Sequence, residues 1–222
     1  MDRHAASLTA IVGIVVALSG PPARAQDDCI AIDDFATATV GEFPSNWKVR
    51  KDAAKSIYRV AEEGGRRFLR AASRDQGIQA ARGFEWDLGK YPVLRWSWRA
   101  VEFPRGANEQ TGANDSVLAV YLLVPYSQIR GPEAVKYVWS EKVPLGTRLS
   151  SNGGLTQVRV IETGSANRDR WIDERVDVRD DYLAYFEKKD VPKPAGIAIL
   201  TDSDDTGTSA QGDYAGFRAC AN

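Results

Sequence analysis

The chain has 222 residues, of which 29 are Lys or Arg and 30 are Asp or Glu, and its formal net charge is −1. This balance lacks the basic excess with which nucleic-acid-binding domains hold the phosphate backbone, so we expect no nucleic-acid partner. The length suits one globular domain, and an apolar content of 43% is sufficient for a hydrophobic core.

The first residues of the chain have the pattern of a secretory signal peptide, predicted to span residues 1–25. Arg3 supplies a positive charge, an uncharged apolar run follows over residues 7–19, and Ala23 and Ala25 are the small residues that signal peptidase requires. The apolar run is too short to span a bilayer, and no later segment is long and apolar enough to do so. We therefore expect cleavage near Ala25, export to the periplasm or beyond, and a mature chain without a membrane span.

The only histidine is His4, which lies inside the predicted signal peptide. A mature chain that begins at Gln26 would contain none. This excludes Ser-His-Asp and Cys-His catalysis for the mature protein, together with the usual zinc sites.

Two cysteines, Cys29 and Cys220, lie near the two ends of the predicted mature chain. In an oxidising compartment they are expected to form a disulfide, which requires the first and last segments to be neighbours. Two free buried thiols are the alternative.

Short runs of β-branched and aromatic residues, separated by turn residues, predict a mostly β protein. The runs are residues 57–60, 68–72, 93–99, 117–124, 135–140, 156–163 and 196–201. Many short strands with loop-rich connections predict an antiparallel β-sandwich or jelly roll, formed by residues 26–222 as one domain. One helix is predicted over residues 180–189, because acidic residues open it, lysines close it and Pro192 follows.

Several distinctive motifs occur together along the chain. They are "GEFPSNWKVRK" at 41–51, "YPVLRWSWRA" at 91–100, "NDSVLAVYLLV" at 114–124, "IAILTDSDDTG" at 197–207 and "DYAGFR" at 213–218. This combination resembles the exported bacterial domain-of-unknown-function family DUF3047, a resemblance that implies no known activity. More distantly, the opening and closing motifs resemble the first and last strands of galactose-binding-like jelly rolls. That resemblance implies adjacent terminal strands and, as in many such modules, a bound sugar and a structural calcium ion, although fold does not fix function.

The segment "TDSDDTG" at 201–207 predicts a cation site. Asp202, Asp204, Thr206, Gly207 and Asp213 fall on the first, third, fifth, sixth and twelfth positions of a calcium loop. Clustered carboxylates repel one another, and a hard cation such as Ca²⁺ would cancel that repulsion. Thr206 and the short Asp213 depart from the usual ligands, and the flanking strands exclude a helix-loop-helix hand. An exposed turn, in which Asp, Ser and Gly satisfy the backbone, is the alternative.

The run Arg95-Trp96-Ser97-Trp98-Arg99 predicts a strand with two different faces, because side chains alternate along a strand. The tryptophans are expected to fill the core, and Arg95 and Arg99 share the opposite face. Two arginines on one face either pair with carboxylates in a structural network or line a groove that binds a polyol or an acidic sugar.

Tyr137, Trp139 and Glu141 also share one face of a predicted strand. Aromatic rings beside a carboxylate suit carbohydrate recognition, because the ring covers the apolar face of a sugar and the acid accepts hydrogen bonds from hydroxyl groups. An ordinary core with a charged edge produces the same pattern and is the alternative.

These patterns predict non-catalytic binding of a carbohydrate or another polyhydroxylated envelope component by the two arginines and the face formed by Tyr137, Trp139 and Glu141. One alternative is a carbohydrate-active enzyme on the same groove. It would be either a glycoside hydrolase with two carboxylates or a polysaccharide lyase that transfers protons through Tyr121 or Tyr137. The other alternative is a structural or protein-interaction domain of the periplasm, in which the arginine face is only an ion-pair network.

Overall fold

The computed structural model describes residues 28–222, and the signal peptide predicted for residues 1–25 lies outside this range. The described strands are β1 Cys29–Asp33, β2 Lys48–Val49, β3 Tyr58–Glu63, β4 Arg66–Arg74, β5 Ala80–Gly83, β6 Val93–Glu102, β7 Leu118–Ser127, β8 Gly131–Ser140, β9 Arg148–Ser151, β10 Thr156–Thr163, β11 Ile172–Asp177, β12 Gly196–Leu200 and β13 Ser209–Cys220. The α-helix α1 is Val178–Tyr185, and two short 3-10 helices cover Asp52–Ser56 and Asn152–Gly154.

The strands form two sheets that share one hydrophobic core, which confirms the predicted mostly β sandwich. The first sheet has the order β11-β6-β13-β4-β3, with β1 beside the end of β13, and the second has the order β2-β5-β12-β7-β8-β10-β9. The strand pairs in both sheets are antiparallel, apart from β8 with β10, which is parallel. The parallel pair arises because β9 reverses through the turn at Asn152–Gly154, so that β10 runs in the direction of β8.

The helix forms near its predicted position but begins and ends earlier. The Asp177 side chain accepts a hydrogen bond from the Asp180 backbone N–H at 2.9 Å, which caps the helix N-terminus two residues upstream of the predicted start. Glu187 adopts a left-handed backbone conformation with φ 53°, a conformation that commonly ends helices, so the helix stops before the predicted lysines. No helix in residues 28–222 has the length and apolar character that crossing a membrane would require.

Aromatic side chains of β6 and β8 hold the two sheets together. The ring centroids of Trp96 and Tyr137 are 6.0 Å apart, and those of Trp98 and Trp139 are 5.9 Å apart. All four side chains are buried in the core between the sheets. Such rings bury large apolar areas, and tilted contacts at these distances are favourable for aromatic pairs.

The two ends of the described chain meet in the first sheet. Cys29 of β1 lies directly opposite Cys220 of β13, their Cα atoms are 4.0 Å apart, and the two residues form a disulfide. The predicted disulfide and the predicted neighbouring terminal segments are therefore confirmed. A disulfide of this kind is compatible with an exported protein.

We expect the disulfide to contribute a large part of the folding free energy. The bond joins residues separated by 191 positions, and restriction of so long a loop in the unfolded chain is worth about 5 kcal/mol in the chain-entropy model. The double variant Cys29→Ser/Cys220→Ser is expected to lose about 2–5 kcal/mol of unfolding free energy, measured by denaturant titration. Wild-type protein kept under reducing conditions serves as the control and should show the same loss. An unchanged denaturation midpoint in both samples would contradict this expectation.

Glu174 on β11 makes the stability depend on pH. Its carboxylate accepts a hydrogen bond from the Trp98 indole at 3.0 Å, and burial, with a further contribution from Glu162, raises its pKa from 4.5 to about 7. The folded state therefore keeps a proton that the unfolded state releases, so stability is expected to fall as the pH rises from about 4.5 to about 7.

The variant Glu174→Gln should remove the contribution of Glu174 to this pH dependence, because the amide oxygen still accepts from Trp98 and carries no charge. At a pH of about 8 it is expected to be more stable than the wild type by up to about 3 kcal/mol, and near a pH of about 4 the two should converge. Thermal unfolding at both pH values measures this, with the exposed Glu85→Gln as the control. An equal pH dependence in Glu174→Gln and wild type would refute the assignment.

Candidate functional site

The outer face of the second sheet carries its own buried cluster, separate from the core between the sheets. It contains Ala119 and Tyr121 of β7, Val138 of β8 and Ala198 of β12. Lys136 of β8 is on the same face by strand alternation. Tyr121 lies in register opposite both Lys136 and Ala198, which places the tyrosine and the lysine side by side on this face.

A cleft opens over this part of the sheet, and we call it the outer cleft. It consists of a larger chamber of about 450 Å³ and a smaller one of about 190 Å³, which share Asn114, Lys136 and Ser151 in their linings. The larger volume lies in the range of sites that bind small molecules. The larger chamber is lined by Arg50, Lys51, Gly77, Ile78, Gln79, Asn114, Tyr121, Lys136, Ser151, Asn152, Thr156, Leu200 and Asp202.

Two charged residues that line the outer cleft are withdrawn from solvent. Lys136 is only 7% exposed and Asp202 only 6%. None of the salt bridges in the described part of the chain involves either residue. The Oδ1 atom of Asp202 also has no hydrogen-bond partner among these residues. Buried charges without salt bridges are costly, so this arrangement needs a physical explanation.

The surroundings shift the pKa values of both groups. Burial alone would lower the pKa of Lys136, but Tyr121 and the carboxylates of Asp202 and Glu109 raise it above its ordinary value. The Lys136 Nζ atom lies 5.7 Å from the centre of the Tyr121 ring. Burial raises the pKa of Asp202 to about 8, and Asp204 contributes to the same shift. Lys136 is therefore an ammonium group at neutral pH, and it lies beside a phenol in the lining of the cleft.

Close backbone packing fixes Asp202 in place. Its N–H donates to the Ser116 carbonyl at 3.0 Å, and the next residue, Ser203, donates to the Gln76 carbonyl at 3.1 Å. A Cβ atom at Gly77 would come within 2.2 Å of Asp202 Oδ1, so a side chain at this position would displace the carboxylate. Residues 201–208 also carry the chain from β12 in the second sheet to β13 in the first.

We call this connection, residues 201–208, the crossover. Its acidic residues are not arranged as the predicted calcium loop requires. Asp115, Asp204 and Asp205 each place one carboxylate oxygen within 4.8 Å of the others. Asp115 already accepts hydrogen bonds from the backbone N–H groups of Asp205 and Thr206, at 3.1 and 2.9 Å. The predicted ligand Thr206 donates its hydroxyl to Asp115 at 2.6 Å. Asp115 was not among the predicted ligands, because it lies about 90 positions earlier in the chain.

Asp213, the fourth predicted metal ligand, belongs to an ion-pair network on the outer face of the first sheet. Arg70 Nε donates to its Oδ1 and Arg99 Nε to its Oδ2, both at 2.9 Å. Arg99 also donates to Glu63 at 2.8 Å. The placement of Asp213 in a calcium loop is thus corrected, because β13 carries this residue away from the crossover and pairs it with arginines. Arg99 forms the structural network that was the alternative to a binding groove.

The other predicted binding residues are dispersed over the molecule. Arg95 lies on the same outer face of the first sheet as Arg99, where the sheet register places it beside Arg175 and Arg218. Tyr137 and Trp139 are fully buried between the sheets, and Glu141 lines a separate pocket of about 510 Å³. The expected binding face is therefore not assembled in this structure, because Tyr137 and Trp139 pack against Trp96 and Trp98 instead of facing a ligand.

The residues of the outer cleft gave a weak signal in the sequence. Lys136 interrupts an apolar strand. This is the one hint in the sequence that the side chain at this position does not face the core between the sheets. Tyr121 was considered only as a proton-transfer group for a lyase. Their proximity, and that of Asp202, depends on strand register and on the crossover, which sequence spacing does not give.

The fold and the cleft together define a two-sheet β-sandwich with a polar cleft on the outside of its larger sheet. The family described as "Protein of unknown function (DUF3047)" matches residues 45–218, and the chain belongs to this family. A comparison with curated protein sequences gives no match.

Among solved structures, similar chains include two carbohydrate-binding modules and one xylanase. The family 29 carbohydrate-binding module CBM29_1 from Piromyces equi has 8% identity and a TM-score of 0.36, with 89% of this chain and 93% of that chain covered. The module TmCBM27, which recognises mannan, has 11% identity and a TM-score of 0.36, with 87% and 98% covered. The family 11 xylanase from Neocallimastix patriciarum has 12% identity and a TM-score of 0.34, with 82% and 95% covered. Because these TM-scores are below 0.5, the likeness supports no conclusion about this chain.

A bound cation at the crossover stays a prediction, now with Asp115, Asp204 and Asp205 as the ligands. Calcium at about a hundredfold excess over its Kd is expected to raise the unfolding free energy by about 3 kcal/mol, because the ion would cancel carboxylate repulsion. The double variant Asp204→Asn/Asp205→Asn should lose this response, whereas the exposed Asp190→Asn should keep it. Identical thermal midpoints with calcium and with chelator would rule the cation out.

Proposed function

We propose that the outer cleft binds a carbohydrate or another polyhydroxylated component of the cell envelope, without transforming it. The observation that carries this proposal is the pair of buried ionisable residues, Lys136 and Asp202, which line one cleft and take part in no salt bridge of the described chain. Burial raises the pKa of Asp202 to about 8, so a protein that only needed a stable fold would gain by an apolar residue at this position.

Hydroxyl groups of a ligand can meet the needs of both residues at once. A hydroxyl can accept a hydrogen bond from the Lys136 ammonium and exchange one with the Asp202 carboxyl group, whose raised pKa keeps it largely protonated at neutral pH. Hydrogen bonds to charged groups are stronger than those between neutral groups, and they are stronger still in a cleft with little water. A ligand with several adjacent hydroxyls therefore matches the lining better than an apolar ligand does.

The rest of the lining fits the same ligand class. Gln79, Asn114 and Asn152 offer amide groups that both donate and accept. Tyr121, Ile78 and Leu200 provide an apolar surface against which the C–H face of a sugar ring can pack. Export of the chain, which the disulfide favours, would place such a site among the polymers of the envelope.

A lyase on the same cleft is the second candidate, favoured by the contact between Tyr121 and Lys136. In such a site the phenol would be the proton-transfer group and the ammonium would neutralise a carboxylate of the substrate. A hydrolase is less well supported, since it needs two carboxylates across the substrate and Asp202 is the one carboxylate among the residues that line the larger chamber. Mass spectrometry of a glycan recovered after incubation distinguishes binding from turnover: an intact glycan supports binding alone.

Two conservative variants test the proposal. Tyr121→Phe removes the hydroxyl and keeps the ring, and Lys136→Met removes the charge and keeps the chain length. Each is expected to weaken binding to a glycan found on an array about tenfold or more, measured by calorimetry, because each removes a polar contact inside a cleft.

The controls are Tyr126→Phe and Lys193→Met, which change a partly exposed tyrosine and an exposed lysine that do not line the outer cleft. Lys136→Met is expected to lose some stability, because the raised pKa of Lys136 shows that its surroundings favour the ammonium, so binding is measured well below its unfolding temperature. Weaker binding by cleft variants that remain folded at the temperature of the measurement, with unaltered binding by the controls, would support a ligand site. Unaltered binding by both cleft variants, or an array on which no glycan is bound, would refute the proposal.

A further inference from the structure

The lining of the larger chamber of the outer cleft has an excess of cationic side chains that the overall composition of the chain does not predict. The whole chain carries a formal net charge of −1. The lining of the larger chamber nevertheless contains Arg50, Lys51 and Lys136 against one carboxylate, Asp202. The excess of positive charge therefore arises from the fold, which brings cations of distant segments to one place.

Arg50 and Lys51 are not among the cations that carboxylates of the described chain hold in salt bridges. Both are exposed, and neither takes part in a salt bridge among residues 28–222. The neighbouring Lys55, by contrast, pairs with Asp52 at 3.0 Å. On the outer face of the first sheet, Arg70 and Arg99 share Asp213. The two exposed cations of the cleft are thus left available to a ligand, whereas Lys55, Arg70 and Arg99 are held by carboxylates.

The three cations lie at different depths. Lys136 is nearly fully buried, and Arg50 and Lys51 are exposed, although all three line the same chamber. An anionic ligand would meet positive charge first at the opening and then again in the interior. Such an arrangement speeds association of an anionic partner and disfavours a cationic one.

The smaller chamber does not cancel this charge. It adds one acidic residue, Glu109, whose two carboxylate oxygens accept hydrogen bonds from the hydroxyls of Ser116 and Ser140. Its hydrogen-bonding capacity is thus partly used by the protein. The chambers taken together still carry more positive than negative side chains.

From these observations we infer that the ligand of the outer cleft is an acidic carbohydrate, a sugar chain whose rings carry carboxylate groups, held by Arg50, Lys51 and Lys136. The inference rests on the proposed function and narrows its ligand class. The guanidinium of Arg50 can bind a carboxylate with two parallel hydrogen bonds, and the two lysines act as point charges. The hydroxyls of the same sugar meet the amide and hydroxyl groups of the lining.

The test compares ligands that differ only in charge. Oligogalacturonate and oligoalginate are titrated into the full mature protein by calorimetry, each beside its neutral methyl ester of the same length. We expect each acid that binds to bind at least about tenfold more tightly than its ester, and rising salt to weaken the acid form alone.

Variants assign the effect to the cleft. Arg50→Gln/Lys51→Gln is expected to weaken binding of the acid about tenfold or more and binding of the ester much less, because uncharged amides keep hydrogen-bonding capacity but lose the attraction to a carboxylate. Lys55→Gln is the matched control, since it removes a neighbouring lysine that does not line the chamber. Unfolding temperatures of both variants confirm that the fold is intact.

The outcomes separate this inference from the proposed function. Equal affinity for acid and ester, or an unchanged affinity for the acid in Arg50→Gln/Lys51→Gln, would overturn the acidic ligand and leave carbohydrate binding standing. Binding of inorganic phosphate or the galacturonate monosaccharide as tight as that of the oligomer would also overturn it, by showing that a free anion suffices. If neither form of either sugar binds and a glycan array shows no ligand, both proposals fail together.

Discussion

The contact between the aromatic side chains of β6 and β8 is the interaction on which the arrangement of this molecule depends. Trp96 and Trp98 meet Tyr137 and Trp139 between the sheets, and the four rings fill the centre of the core. Because side chains alternate along a strand, this packing commits the intervening positions of β8 to the opposite face. Lys136 is one of those positions, so the packing of the core is also what places an ammonium group on the outside of the second sheet.

The connection between the two sheets brings the remaining part of the site into position. Residues 201–208 leave the second sheet after β12 and enter the first at β13, and the backbone around Asp202 is held by Ser116 and Gln76. Asp115 stabilises the same crossover by accepting hydrogen bonds from Asp205 and Thr206. The strand that follows ends at Cys220, opposite Cys29. One continuous segment therefore contributes Asp202 to the cleft, joins the two sheets and closes the chain through the disulfide.

The charged residues described on the outer faces of the two sheets differ in whether they form salt bridges. On the first sheet, Arg70 and Arg99 converge on Asp213, and Arg99 also reaches Glu63. These four residues form a network that satisfies its own charges, as expected for charges whose role is structural. On the second sheet, Lys136 and Asp202 are buried and form no salt bridge with the described residues. The contrast is the reason for assigning ligand binding to the second sheet and not to the arginine face.

The sequence by itself determined the class of fold, the strands that form the core and the disulfide, since these depend on alternation, on turn residues and on the number and compartment of the cysteines. It also showed that β6 has an aromatic face and an arginine face. What it could not determine is which of two equivalent explanations holds at each face, because a strand pattern is the same for a core and for a binding surface. Tertiary structure decided that Tyr137 and Trp139 belong to the core, that Asp213 pairs with arginines and that Asp115 joins the acidic crossover. It also brought Tyr121, Lys136 and Asp202 to one cleft, because their proximity follows from strand register and from a connection between sheets, and neither is encoded in local spacing.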